Sequence, residues 1–274
     1  MLALQRFYPD GVPTPGMLLL EGVAGSILGT FFAWWLFPAE ASLVSVFLAA
    51  ILSTDSVERL LDRNRREIFE LGMAPRRANA RLALWFMALF AGCVAGFSVL
   101  GVVLPVQTVE LLFAKQVAPY AAQSFSALSF GSFDALLAHN SYVLLFFFAI
   151  AIPFRQGGVM LAVGWNASVW GATFGLLAQR WSGEGGPDLL EAWFRVLAAC
   201  SPHMAAEAGG YVLSGFAGVF LSKALLKHDL DSLAMLSILK SVLSMLVIAF
   251  GVVAFGACWE AWVAPALVEL FSSP

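Results

Sequence analysis

The stretch RNRREIFELGMAPRRANARLALWFMALFAGCVAGFSVLGVVLP (63–105) decides the class of fold. Its first half carries Arg63, Arg65, Arg66, Arg76, Arg77 and Arg81, and no charged residue follows between Leu82 and Pro105. As a helix rising 1.5 Å per residue, Leu82–Leu104 measures roughly 35 Å, enough to cross a hydrocarbon core of roughly 30 Å. A basic flank directly before such a run marks the cytoplasmic side of a membrane span.

The rest of the chain repeats this theme. Of 274 residues, 60% are hydrophobic and only 12% are charged, against about 45–50% and about 25% in a soluble domain. Mean hydropathy is +0.84. So few charges cannot cover so much apolar surface, which excludes a soluble enzyme and a disordered chain. A net charge of −3 gives no basic field for nucleic acid. Long unbroken apolar runs, without alternating segments, predict helices rather than a barrel. The expected fold is all-α: a polytopic transmembrane helical bundle of about seven membrane helices plus amphipathic interfacial and cytoplasmic helices. The opening MLALQRFYPDGVPTPG is broken by Pro and Gly before any long apolar run, so no cleavable signal peptide is expected. Cys93, Cys200 and Cys258 lie in apolar runs without metal or redox spacing and read as small buried hydrophobes.

The region from Met17 to Leu52 is too long for one crossing and is interrupted at Pro38-Ala39-Glu40, so 1–53 is expected to form a membrane hairpin. Residues 54–81 form an arginine-rich cytoplasmic amphipathic segment, and 82–274 the membrane core. Within that core, 106–138 reads as an extracytoplasmic amphipathic segment along the interface. Further spans are expected at 141–153, 157–177, a broken region 189–226, and 241–264. Seven of the 15 Lys and Arg fall between residues 53 and 81. With that loop cytoplasmic, the later loops alternate and the C-terminus is outside. Arg59, Arg63, Arg65 and Arg66 are candidates for docking a cytosolic partner or anionic lipid, though a solvated anchoring face explains them equally simply. Small residues at four-residue spacing, including Gly210, Ser214 and Gly218, allow close helix approach within the chain or in a homodimer.

Polar side chains inside the apolar runs are costly unless paired, so they mark candidate sites. They are Glu21, Asn166, His203 and Glu207. Ser201-Pro202 suits a helix start, which places His203 and Glu207 at i and i+4 on one face. A hydrogen-bonded His–Glu pair, an ion or solute site, and an interhelical bond from Asn166 all remain open. No metal site is expected, because His-xxx-Glu supplies only two ligands. No cofactor is expected, and no Walker-type nucleotide loop occurs.

The segments HNSYVLLFFFAIAIPFRQGGVMLAVGWNASVWGATFG (139–175) and SPHMAAEAGGYVLSGFAG (201–218) resemble the stage II sporulation protein M family. The matching positions are Asn140, Gly157, Gly158, Asn166, Gly171, Pro202, His203 and Glu207. Ala167 and Met204 stand where that family usually has Gly. The resemblance implies a multi-spanning prokaryotic inner-membrane protein without established catalytic chemistry. It also implies partners such as a cytosolic ATPase, a von Willebrand-type protein or wall-remodelling proteins. The leading expectation is therefore a non-enzymatic membrane component that assembles with itself, most simply as a dimer, or with other proteins. The alternative is a channel or secondary transporter for an ion or small solute, using Asn166, His203 and Glu207. A water-filled cavity reaching His203 and Glu207 would favour transport, and a dry seam assembly. An intramembrane hydrolase is disfavoured, since His-Glu-xx-His is missing and only His203 lies deep enough to serve as a base.

Overall fold

The computed structural model describes residues 13–272, apart from 121, 122, 124, 126, 127 and 129. Residues 1–12 of the expected N-terminal hairpin lie outside this range. Thr14 opens α1 (Pro15–Leu36): its hydroxyl accepts from the Met17 amide at 3.3 Å, and Pro15 takes the first turn, where a missing N–H is harmless. The turn Pro38–Glu40 reverses the chain into α2 (Ala41–Leu52). After Ser53 the chain bends by 46° into α3 (Thr54–Phe69). α4 (Pro75–Val103) starts on a proline and stops before Pro105.

Two short helices follow, α5 (Val106–Leu112) and α6 (Ala114–Val117), with a turn at Ala118–Tyr120. α7 (Phe133–Phe154) meets α8 (Gln156–Gly183) across the single residue Arg155, whose φ is +51°. α9 (Leu189–Leu225) is capped by Asp188, and α10 (Leu233–Cys258) by Ser232. A π-helical turn, Trp259–Val263, leads into α11 (Ala264–Ser272). Among the described residues there is no strand. Among the described residues, six helices are long and apolar enough to cross a membrane, and a seventh if α2 and α3 count as one bent span. The protein is an all-α polytopic bundle.

Close contacts fix the helix directions. Gly22 faces Leu89 and Cys93 while Gly96 faces Val23 and Ser26, so α1 and α4 run parallel. Gly171 faces Val94 and Ser98 while Gly175 faces Gly101, so α8 runs parallel to α4. α2 is antiparallel to α8, because Ser42 shares Gln116 with Ser168 while Val46 touches Gly164. α7 and α9 are parallel to each other, with Asn140 against Glu207 and Leu144 against Ser214. The bundle therefore has two ends. One carries α3 and the turns at 155 and 226–232, and is called the arginine end. The other carries residues 37–40, 104–120 and 184–188, and is called the lid end.

Three local expectations are corrected. First, the amphipathic segment at 106–138 is not wholly superficial: one of its faces packs into the bundle. Phe113, Gln116 and Val117 are buried, and the Gln116 amide donates to the Ser42 carbonyl at 2.7 Å and to the Ser168 hydroxyl at 3.3 Å. These bonds let a polar residue sit inside the bundle, so the segment forms a lid inserted between helices. Second, its last residues, from Phe133, are already the first turns of α7. Third, the region 189–226 is unbroken. Pro202 lies inside α9 rather than at its start; it forfeits one backbone bond, a loss membrane helices accept more often than soluble ones.

Candidate functional site

α8 is the axle of the bundle, with 72% of its most apolar window buried, against 22% for α7. On one side it closes onto α4 through glycines. On the other it presents Trp165, Asn166, Val169 and Trp170, which are only half-buried. These side chains floor a cavity of about 640 Å³ walled by α2, α7 and α9. The lid covers it with Tyr120, Leu128 and Phe130. Arg180 holds the lid by donating to the Tyr120 and Gln123 carbonyls, both at 3.2 Å, and by an ion pair with Glu110.

At the deep end, α9 supplies His203, Glu207 and Tyr211, successive turns of one face. Glu207 is 6% exposed, and Asn140 of α7 donates to its Oε1 at 2.7 Å. The Tyr211 hydroxyl donates to Asn140 Oδ1 at 3.0 Å, which fixes the amide orientation. The Glu260 carboxyl, from the π turn, lines the same cavity beside Glu207. Ionised carboxylates only accept, so a hydrogen bond between these two would require one proton between them. Gly256 makes the approach feasible, since Glu207 Cγ and the His203 carbonyl already lie 3.3 Å from where its Cβ would stand. Extra turns of π-helix recur at functional sites, and this one aims Glu260 inward.

His203 is 7% exposed, lines the cavity, and its Nδ1 has no hydrogen-bond partner. The ring of Phe130 stands edge-on to it at 6.5 Å. The expected contact between His203 and Glu207 is replaced by the Asn140 bond. Above the site, burial pushes the Tyr120 phenol up to about 12, and the carboxyls of Glu260 and Glu207 add to it. Tyr120 therefore remains a donor at neutral pH.

Asn166 faces the same cavity from α8, but its amide donates back to the Ala162 carbonyl at 2.8 Å and is not joined to Glu207. Gly171 meets α4; Gly158 meets Ala151 of α7; nothing lies within 4 Å of a Cβ built on Gly157. Gly210 sits on Ala249 and Val253 of α10, Gly218 on Phe148 of α7, and Ser214 donates to the Leu144 carbonyl at 2.7 Å. That ladder is thus occupied within the chain. Glu21 has a partner on α3, the Ser56 hydroxyl donating at 2.7 Å. Among the described residues, no three His, Cys, Asp or Glu side chains converge as a metal site.

At the arginine end, Arg63 pairs with Glu67 at 2.8 Å and stacks over Trp85 at 4.7 Å, while Arg81 also pairs with Glu67. Arg59 pairs with Asp55 at 2.9 Å. Arg65 and Arg66 are exposed. The docking candidates therefore divide into two that tie α3 together and two that face outward.

Sequence reasoning missed Glu260 and Tyr211. Tyr211 stood one turn beyond Glu207 on the same face, a usable signal. Glu260 lies in the C-terminal flank, where nothing in the sequence marks it, and only the tertiary fold turns it inward. No protein-family model, curated protein or solved structure matches the chain.

Proposed function

We propose that this protein is a membrane carrier that binds a small ligand between its helices, with Glu207, Glu260 and His203 as the recognition groups. The single observation that carries the reading is the cavity lined by His203, Glu207 and Glu260, beside which His203 Nδ1 is buried and unpartnered. A buried polar atom without a partner costs about 1–3 kcal/mol. A seam serving only to hold helices together gains nothing by that cost, whereas a ligand that supplies the missing bond recovers it. The cavity volume also falls within the roughly 300–1,000 Å³ of ligand sites. In proteoliposomes, flux of a cationic or proton-coupled solute should fall at least about tenfold in Glu207→Gln and His203→Ala, the size of one lost charge-assisted bond. Wild-type flux no greater than that of empty vesicles, across inorganic cations and small organic cations, would end this reading.

Assembly with partners is the second reading. Its support is the exposed Arg65, Arg66, Arg76 and Arg77, together with the resemblance of the motif positions. The small-residue ladders no longer argue for it, because they face the chain's own helices. Crosslinking in native membranes should capture a partner through α3; recovery as an unpartnered monomer would exclude it.

A further inference from the structure

The cavity has a second boundary. α2 and α7 both pack on α8, yet no substantial contact joins α2 to α7. Between them the floor of the cavity, Trp165 and Val169 of α8, is only half-buried. The rim is apolar, and Phe47 of α2 and Phe146 of α7 are 50% and 49% exposed on its two edges. These edges lie along the flanks of the apolar helices, away from the lid end and from the arginine end. A gap in the flank of a membrane bundle faces hydrocarbon, not water.

The chemistry changes along the cleft. The rim offers only apolar and aromatic surface. The deep end offers the carboxyls of Glu207 and Glu260 and the His203 ring, with His203 and Glu207 both buried and Glu207 held by Asn140. Carboxylates are acceptors, and a neutral imidazole has one accepting nitrogen. The complementary head group is a cation with several N–H donors, and an ammonium has three. An apolar cleft running from lipid to such a site fits a molecule that is apolar at one end and cationic at the other.

We infer that the cleft between α2 and α7 admits, from within the bilayer, a long-chain amphiphile whose ammonium head reaches Glu207, Glu260 and His203 while its chain lies against Trp165 and out past Phe47 and Phe146. This inference rests on the carrier reading and names its ligand class and its route. The carboxyls supply the charge complement, with charge-assisted bonds roughly twice as strong as neutral ones. The tail stays in contact with apolar side chains throughout, so the head alone is transferred out of water.

The test uses the full-length protein in lipid nanodiscs and a dodecylamine brominated at the chain end, read by quenching of tryptophan fluorescence. Saturable quenching is expected, and it should fall in Trp165→Phe. Glu207→Gln should weaken the apparent affinity by about tenfold, with elution volume and helicity unchanged. Phe146→Trp, which enlarges an exposed rim side chain, should weaken dodecylamine while leaving methylamine competition unaltered. Brominated dodecanoate, with the same tail and opposite head, should not saturate. Competition by methylamine as strong as by dodecylamine would overturn the lateral route and leave the carrier reading standing. Non-saturable quenching indifferent to Glu207→Gln would mean partition into lipid and overturn the inference. A cleft filled by a transmembrane helix of another protein or a second copy would be revealed by tight co-purification with quenching abolished, and would also overturn it. Failure of the carrier reading is read separately, from the proteoliposome flux of water-soluble cations.

Discussion

The two faces of α8 differ in one respect that determines everything else around them. The face toward α4 carries Gly171 and Gly175, and a Cβ on either would overlap the backbone or side chains at Val94, Phe97, Ser98 or Gly101. The face toward α2 and α7 carries Trp165, Asn166, Val169 and Trp170, and encloses a cavity of about 640 Å³. In lipid, association gains little from apolar burial as such, so close approach must come from small residues. Where they are replaced by large ones, the helices stand apart and polar groups fill the gap. Along α8, Gly158 and Gly164 bring α7 and α2 close, and the larger residues at 165–170 border the cavity.

The largest effect should come from closing the wrong face. A side chain at Gly175 meets the Gly101 backbone, which cannot turn away, so Gly175→Val should cost about 3 kcal/mol or more. Thermal unfolding in detergent should show it, and a variant as stable as wild type would break the comparison. Next is the polar face. Asn140→Ala deprives the buried Glu207 of its 2.7 Å donor and Tyr211 of its acceptor. It should cost about 1–3 kcal/mol by the same measurement, together with a loss of ligand affinity that Gly175→Val would not produce selectively.

A smaller effect belongs to the arginine end, outside the membrane spans. Burial pushes the Glu67 carboxyl up, but Arg81 and Arg63 more than offset it and leave it below its ordinary 4.5. Glu67 therefore contributes its stability fully above pH 4.5 and loses it as pH falls through the lowered value. Hydrogen exchange in α3 should accelerate over that acidic window in wild type, and should be fast and pH-independent after correction for intrinsic rates in Glu67→Gln. The smallest effect is expected from Arg65→Ala and Arg66→Ala, exposed side chains whose loss should change stability by less than about 0.5 kcal/mol. A larger shift would mean that this face is also structural.

Much of this was legible because membrane helices announce themselves. The span at 82–104, the hairpin at Pro38 and the turn at Arg155 all follow from run length and breakers. His203, Glu207 and Asn166 stood out because each is polar within an apolar run. Their partners did not stand out. Spacing along one helix suggested His203 to Glu207, but the acid's donor is on α7 and its carboxyl neighbour is at residue 260. Glu21 likewise finds Ser56 across a turn. Periodicity reads one helix at a time, whereas these bonds cross between helices. The lid was misjudged for a similar reason: Gln116 looks like a surface residue until Ser42 and Ser168 surround it.

The single-residue turn at Arg155 has a mechanical consequence. It ties α7 to α8 at one end, where Gly158 lies directly against Ala151, while the far end of α7 hangs from the lid. α7 is thus hinged like a door with its jamb at the arginine end. Asn140 is about 22 Å from that hinge at 1.5 Å per residue, so a swing of about 5° moves it by roughly 2 Å. That travel exceeds what its 2.7 Å bond to Glu207 can tolerate. A swing that widened the cleft would therefore also break the Asn140–Glu207 bond, which lies far out on the lever.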